Sequence, residues 1–432
     1  MIDNPLLHPV ALGALALQHR IVMAPMTRIR ADRDTLAPTR DNADYYSQRA
    51  SEGGLIITEA VHISPEGTPI WTIYQNVRDD GGQVPGIWTG TQRDGWRDVV
   101  SAVHARKGLI VCQLLHAGRI AQPVIGDHPV AADSDLPLPS VSASAIALPQ
   151  GDEDSHYDWD QPNTQPRALA TAEMRRICDD YAHAARNARD AGFDAVELHA
   201  AHGYLIDQFL NQSTNHRDDM YGGSLENRCR LLFEVTTTLI DVMGKGRVGV
   251  RLSPYLNDPQ TGTPSATYFG VQSDDAEAVY SHAVRGLNDF DLAYLLLTEP
   301  RVGGGLASDP KSDQGFKHPL SLRHYRTLYN GTLMGAGGFT PITAATAITQ
   351  NAYDLVAFGR WFISNPDLPD RIRHGHDLTV YDRATFYSGS TAGYTDYPDS
   401  HDSAKAAGYR MIAVSDVGAS LPKADPQAKT YK

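Results

Sequence analysis

Short, β-rich apolar runs recur along the chain, and the spacing between them leaves room for helices. The runs are RIVMAP (20–25), LIITEA (55–60), LIVCQLLH (109–116), AVELHA (195–200), VGVRLS (248–253), LAYLLLTE (292–299), TLMGAG (332–337) and LVAFGR (355–360). Each predicts a strand. Between them lie segments of helical character. Glu173–Ala191 is one, with a TAEM entry that resembles a capping box at Thr171; Asp274–Leu287, following Ser273, is another. Strand and helix in alternation require parallel strands with crossover helices, and eight such units can close on themselves. The expected fold is an α/β (β/α)8 TIM barrel, a single domain with elaborated βα loops. A doubly wound open sheet is the competitor.

Polar residues separate the two arrangements. Thr27, Gln113, His199, Arg251 and Arg360 stand at or just past the C-terminal ends of different strands, and only a barrel gathers all five around one mouth. The longest gap, Ala117 to Thr171, carries the Pro-rich DLPLPS and the acidic GDEDSHYD and reads as a loop over that mouth. The expected domain spans residues 1–398 with a capping loop at 117–170, followed by an Ala-, Ser- and Lys-rich tail or peripheral contact element at 399–432. No repeat is visible beyond the βα rhythm.

Composition removes several function classes. With 432 residues, 41% of them hydrophobic, the chain can fill a large core and is too apolar for disorder. Asp and Glu outnumber Lys and Arg by 51 to 38, and the formal charge of −13 repels a phosphate backbone. No nucleic-acid partner is expected. Cys112, Cys178 and Cys229 lack CxxC spacing, which argues against a disulfide framework, a zinc ribbon or a cysteine-held iron–sulfur cluster and makes a reduced cytoplasm the expected compartment. The opening MIDNPLLHPVALGALALQHR puts Asp3 where a signal peptide wants positive charge and interrupts its apolar residues with His8, Pro9 and Gly13. Neither export nor membrane insertion is expected.

The seventh run ends in GAGGFT and the eighth in FGR, placing Gly337, Gly338, Gly359 and Arg360 where such barrels commonly bind a phosphate. Glycines let backbone N–H groups come close to the oxygens, and Arg360 offers a charged fork. GAGGFT is not GxGxxG and no separate Rossmann unit remains, so the pattern favours a phosphorylated mononucleotide over a tightly held dinucleotide.

At the reactive end, strand four runs into ELHAAHGYLIDQFL, where His199 closes the strand and His202 follows three residues on. Three readings of the pair stand open. They are metal ligands completed by Glu197, His116 or His216; or structural imidazoles; or two N–H donors to one carbonyl oxygen, a task a carboxylate cannot do. Tyr204 lies two residues beyond His202, and a phenol stays protonated at neutral pH, ready to give a proton to a carbanion; a core aromatic is the other reading. A Schiff-base aldolase needs a lysine at a strand's C-terminal end, but Lys107 and Lys245 precede strands and the other lysines lie in loops or the tail.

RIVMAPMTRIRA, YYSQRAS, GLIITEA, QLLHAGR, ELHAAHGYLIDQFLNQSTNHRDDMYGGSLENRCRLLFEV, VGVRLSP, AFGRWFISNPDL and FYSGSTAGYTDYP follow one another between Leu6 and about Pro398. In that order they resemble the old yellow enzyme family of FMN-dependent NAD(P)H:flavin oxidoreductases, or ene-reductases. The resemblance implies that Thr27 contacts flavin O4 and tunes its potential, with backbone at Pro25, Met26 and Ala60 along the ring. Gln113 would bind the pyrimidine edge, and Arg251 would sit near N1 and O2, where positive charge favours the anionic reduced flavin. Gly337, Gly338, Gly359 and Arg360 would hold the phosphate. His199 and His202 would hydrogen-bond the substrate carbonyl, Tyr204 would protonate the α-carbon, and Tyr387 would line the pocket.

Thr27 places the chain in the family's threonine branch. Leu115 stands where many relatives carry tryptophan, which removes an aromatic wall from the substrate pocket. Trp71 and Tyr74, in a stretch longer than usual, receive no role. The implied reaction is ping-pong: NADPH or NADH reduces non-covalent FMN and leaves, then an α,β-unsaturated carbonyl compound takes the same space and receives hydride from flavin N5. The expected partner is thus a small enone-type molecule, the expected assembly a monomer or homodimer, and no metal is implied. The alternatives are a metal-dependent TIM-barrel hydrolase using His199 and His202, and a non-catalytic flavin-binding redox sensor.

Overall fold

All eight apolar runs are strands in the computed structural model, which describes residues 3–68, 82–121, 140–149, 165–254, 269–271, 273–299, 322–387 and 391–417. They are β1 (Ile21–Met23), β2 (Leu55–His62), β3 (Leu109–Leu115), β4 (Ala195–His199), β5 (Val248–Leu252), β6 (Tyr294–Thr298), β7 (Leu333–Ala336) and β8 (Leu355–Phe358). Neighbours in sequence are neighbours in space, every pairing is parallel, and β8 returns to β1 through Val356, Ala357 and Phe358 opposite Ile21, Val22 and Met23. The sheet is therefore a closed barrel and the open sheet is excluded. Its outer ring includes the helices Arg40–Arg49, Gly90–His104, Met174–Ala191, Leu225–Met243, Ala276–Gly286 and Pro341–Thr349, with a 3-10 helix at Arg323–Thr327 in the sixth unit.

Helix entries differ slightly from the sequence reading. The third crossover starts with a 3-10 turn at Thr171–Glu173, so the Glu173 carboxylate reaches back to the Ala170 N–H at 2.8 Å rather than to Thr171. The Thr171 hydroxyl donates instead to Asp219 at 2.5 Å. The helix ends at Gly192, whose φ of 100° suits a residue without a Cβ.

Alternation along each strand divides the apolar residues into two layers. Val22, Leu55, Ile57, Val111, Ala195, Leu296, Met334 and Leu355 fill the barrel, joined by Leu12, Leu15 and Leu17 of the hairpin Val10–Leu12 and Leu15–Leu17, which plugs the N-terminal end. Ile56, Ile110, Cys112, Val196, Val250 and Leu295 face the helices. Following the inward positions up the strands leads from apolar residues to Gln113, Glu197, His199, Arg251 and Thr298. Burial by hydrocarbon at the lower end gives way to polar side chains at the upper end, and this gradient positions the site.

Within the expected capping loop, Val141–Ser142 pairs with Arg167–Ala168; residues 122–139 and 150–164 lie outside the described residues, as do Trp71 and Tyr74. Beyond 398, Met411–Ile412 pairs with Leu378–Thr379 and Val417 joins the core, while 418–432 lie outside the described residues. Among the described residues the three cysteines are buried and unpaired, and no helix is long and apolar enough to cross a membrane.

Candidate active site

The chain leaves β4 through a turn that the following helix, Leu205–Leu210, holds in place. His202 and Gly203 take φ of 57° and 75°, a conformation that costs a non-glycine residue roughly 1 kcal/mol or more. Asp207 accepts the Gly203 N–H at 2.8 Å and the Gln208 amide donates to the Gly203 carbonyl at 2.7 Å, while the His202 N–H reaches Ser253 Oγ at 2.8 Å. These bonds hold His202 in its left-handed conformation and carry Tyr204 back over the barrel mouth.

The three rings meet edge to face. His199 and His202 have centroids 5.2 Å apart at 83°, and His199 and Tyr204 are 4.9 Å apart at 80°. Burial, followed by the charge of Arg251, holds both imidazoles well below the usual histidine range, so both are neutral near pH 7. The Ala201 N–H points at His199 Nδ1 from 3.3 Å. A backbone N–H only donates, so the His199 proton sits on Nε2. His202 Nε2 lies 3.1 Å from Thr298 Oγ1, which also accepts the Arg251 Nε–H at 3.1 Å. Burial pushes the Tyr204 phenol up to about 12, with the neighbouring Tyr387 adding to the shift and Arg251 opposing it.

Below this layer, Gln113 donates to Glu197 Oε1 at 2.6 Å and the Tyr294 hydroxyl donates to Glu197 Oε2 at 2.8 Å. Burial raises the Glu197 carboxyl, against the pull of Arg251. Of the proposed metal-completing ligands, Glu197 is thus engaged by two donors, His116 lies 3.6 Å from Glu66, and His216 is exposed beside an open depression lined by Ala143, Arg217 and Asp219. Among the described residues no group of three or more His, Cys, Asp or Glu is arranged to hold a metal.

The remaining sequence-predicted positions surround the same mouth. Ala60 pairs with Gln113 across β2 and β3, and Leu115, buried, has the same facing as Gln113. Pro25, Met26 and Thr27 are half-buried just past β1, with Met26 beside Gly359: a Cβ there would lie 3.4 Å from Met26 Sδ. Gly337 and Gly338 follow β7 with φ of 105° and 67°, and a Cβ on Gly337 would lie 3.0 Å from the Glu299 carbonyl oxygen. Arg360 begins the short helix Arg360–Ser364 after β8, 5.7 Å from the Tyr381 ring centroid. Tyr387 is brought in by its own segment. Arg28 donates to the carbonyls of Phe386 and Gly393 at 3.1 and 2.8 Å, and Arg30 to those of Phe386 and Thr385 at 2.9 and 3.0 Å.

The structure therefore gathers His199, His202, Tyr204, Arg251 and Tyr387 at one point, with Gln113 one layer down. It also adds residues that sequence reasoning passed over: Thr298, Tyr294, and Arg28 with Arg30. Thr298 carried a signal, since it is a polar residue ending an apolar strand, as Gln113 and Arg251 are.

A sequence profile of the NADH:flavin oxidoreductase / NADH oxidase family matches residues 5–379. The chain is 38% identical to 12-oxophytodienoate reductase 7 of Oryza sativa subsp. japonica over 401 residues, covering 91% of this chain and 94% of that protein. Among solved structures, morphinone reductase in complex with tetrahydroNAD matches with a TM-score of 0.76 and 38% identity, covering 92% of this chain and 98% of that one. An old yellow enzyme homologue from Zymomonas mobilis matches with a TM-score of 0.76 and 39% identity, covering 91% and 99%.

Proposed function

The chain belongs to the NADH:flavin oxidoreductase / NADH oxidase family, the old yellow enzyme family its motifs resemble, and on that premise we propose that it is an FMN-dependent ene-reductase using NADPH or NADH to reduce the activated C=C bond of α,β-unsaturated carbonyl compounds. The observation that carries this reading is the cluster of two neutral imidazoles beside a protonated phenol at the barrel mouth.

The residues suit FMN. Gly337 and Gly338 have positive φ, and a Cβ on Gly337 would crowd the Glu299 backbone, so the end of β7 is bare backbone that phosphate oxygens can approach. Gly338, Gly359 and Arg360 would complete that hold. The Gln113 amide and Arg251 guanidinium offer complementary groups to the pyrimidine edge, Thr27 would reach O4, and the backbone of Pro25, Met26 and Ala60 would flank the ring. Bound there, FMN would supply the hydride that the substrate's β-carbon receives.

The side chains perform the rest. As the C=C electrons move toward the carbonyl oxygen, the N–H groups of His199 and His202 hold the growing negative charge, each contributing on the order of 3 kcal/mol to the transition state. Neutral imidazoles suit this role, because they donate without carrying a charge that binding would have to desolvate. Tyr204 transfers its proton to the α-carbon, giving net trans reduction, and Tyr387 and Leu115 line the pocket. NADPH or NADH would use that pocket first and leave before the enone enters, a ping-pong order.

The test is direct. Purified protein supplied with FMN should be yellow and hold one flavin per chain, and it should oxidise NADPH or NADH in step with loss of 2-cyclohexenone absorbance. A protein that retains no flavin overturns the reading. Flavin retained without enone reduction leaves the redox sensor, and a stoichiometric metal with hydrolytic activity leaves the hydrolase.

A further inference from the structure

Thr298 ends β6 and is 3% exposed, with a single hydroxyl between two site residues. Its oxygen accepts the Arg251 Nε–H at 3.1 Å and lies 3.1 Å from His202 Nε2. A guanidinium has no acceptor, so it cannot take the hydroxyl proton, and a buried donor left unmatched is costly. His202 Nε2 is the acceptor in place. We propose that Thr298 is a positioning residue, which keeps the His202 proton on Nδ1 and couples that choice to the charge of Arg251.

Two consequences follow from the geometry. His199 has its tautomer set by a backbone N–H, which no substitution at Ala201 short of proline removes, whereas the hydroxyl that faces His202 Nε2 is a side chain on another strand. The pair therefore carries its protons on opposite nitrogens, Nε2 on His199 and Nδ1 on His202. The Arg251 bond to the Thr298 oxygen also polarises the hydroxyl, strengthening its donation to Nε2 and making the His202 Nδ1–H the better donor. The group expected beside the flavin's pyrimidine edge and the group expected at the substrate oxygen are thus linked through one hydroxyl. This rests on the ene-reductase reading for its catalytic meaning; the tautomer itself does not.

Thr298→Val removes the hydroxyl and keeps the shape, while Thr298→Ser removes the methyl and keeps the hydroxyl. Long-range proton–nitrogen spectra of protein labelled with 15N-histidine, with the His202 signals identified by their loss in His202→Asn, read the tautomer without any flavin. Wild type and Thr298→Ser should show His202 protonated on Nδ1, and Thr298→Val should move the proton to Nε2 in part or whole. An unchanged spectrum in Thr298→Val, or a serine variant that behaves like valine, overturns the proposal. In FMN-loaded protein, titration with 4-chlorophenol followed by flavin absorbance should show the Kd rising about tenfold in Thr298→Val and recovering to within about twofold in Thr298→Ser. Equal Kd values in all three proteins would also overturn it. If wild type retains no FMN, the ene-reductase reading falls and the histidine spectra alone decide this one.

Discussion

Tyr294 crosses the barrel through the space that Gly249 leaves. The two residues stand in register on β5 and β6, and a Cβ on Gly249 would lie 2.4 Å from the Tyr294 Cζ. Through that gap the phenol reaches Glu197, whose other oxygen holds the Gln113 amide. A missing side chain on one strand thereby orients Gln113, proposed above as a flavin-binding residue, two strands away.

Gly249→Ala should displace the Tyr294 ring and loosen Gln113. Crowding a packed core in this way costs about 1–3 kcal/mol, and FMN affinity should fall with it. Urea unfolding and a flavin fluorescence titration measure the two effects; unchanged values in both would show that the barrel absorbs the methyl without moving Tyr294.

His199→Ala combined with His202→Ala should weaken phenol binding and slow enone reduction by roughly 100-fold or more, while FMN stays bound, because in the proposed mechanism the pair addresses the ligand oxygen rather than the cofactor. Stopped-flow rates of the two half-reactions separate these outcomes. Turnover equal to wild type refutes the assignment.

Tyr204→Phe should slow the half-reaction with enone by roughly 100-fold or more and leave flavin reduction by the nicotinamide nearly unchanged, since only the former puts a proton on carbon. With the phenol raised to about 12, wild type should show no loss of the enone half-reaction from this group below about pH 10. Equal losses in both half-reactions would remove Tyr204 from the proton step.

Asp207, which holds the turn at Gly203, has its carboxyl raised by burial from 3.8 to about 6, against hydrogen bonds from Tyr280, Gly203 and Asn211. A carboxyl raised in the folded state contributes stability below its unfolded value and loses it as pH rises through the folded value. Relative to Asp207→Asn, wild type should therefore lose about 2 kcal/mol of stability between pH 4 and pH 7. Chemical denaturation of both proteins at those two pH values checks the sign and the size. A constant difference would place the titration elsewhere.

The resemblance made much of this site legible before any geometry. The eight strands, the inward facing of Gln113, His199 and Arg251, and the His-x-x-His-x-Tyr spacing all lie in local sequence, where a period of two residues decides which face a side chain takes. The glycine pair after β7 was visible for the same reason, as a local departure from side-chain-bearing strand. The cap at Ala170 was not, because a 3-10 turn shifted the register by one residue and nothing in TAEM distinguishes the two.

Sequence alone determined the barrel, its polar rim and the residues that occupy it, since facing and helix rhythm are properties of single segments. Tertiary structure decided how high each residue stands relative to its neighbours: that Tyr294 meets Gly249, that Glu197 takes both Gln113 and Tyr294, and that Thr298 lies between Arg251 and His202. The stagger between strands is set when the sheet closes on itself, a condition on all eight strands together. The position of the His202 proton follows from that stagger, because its determining partner arrives from β6.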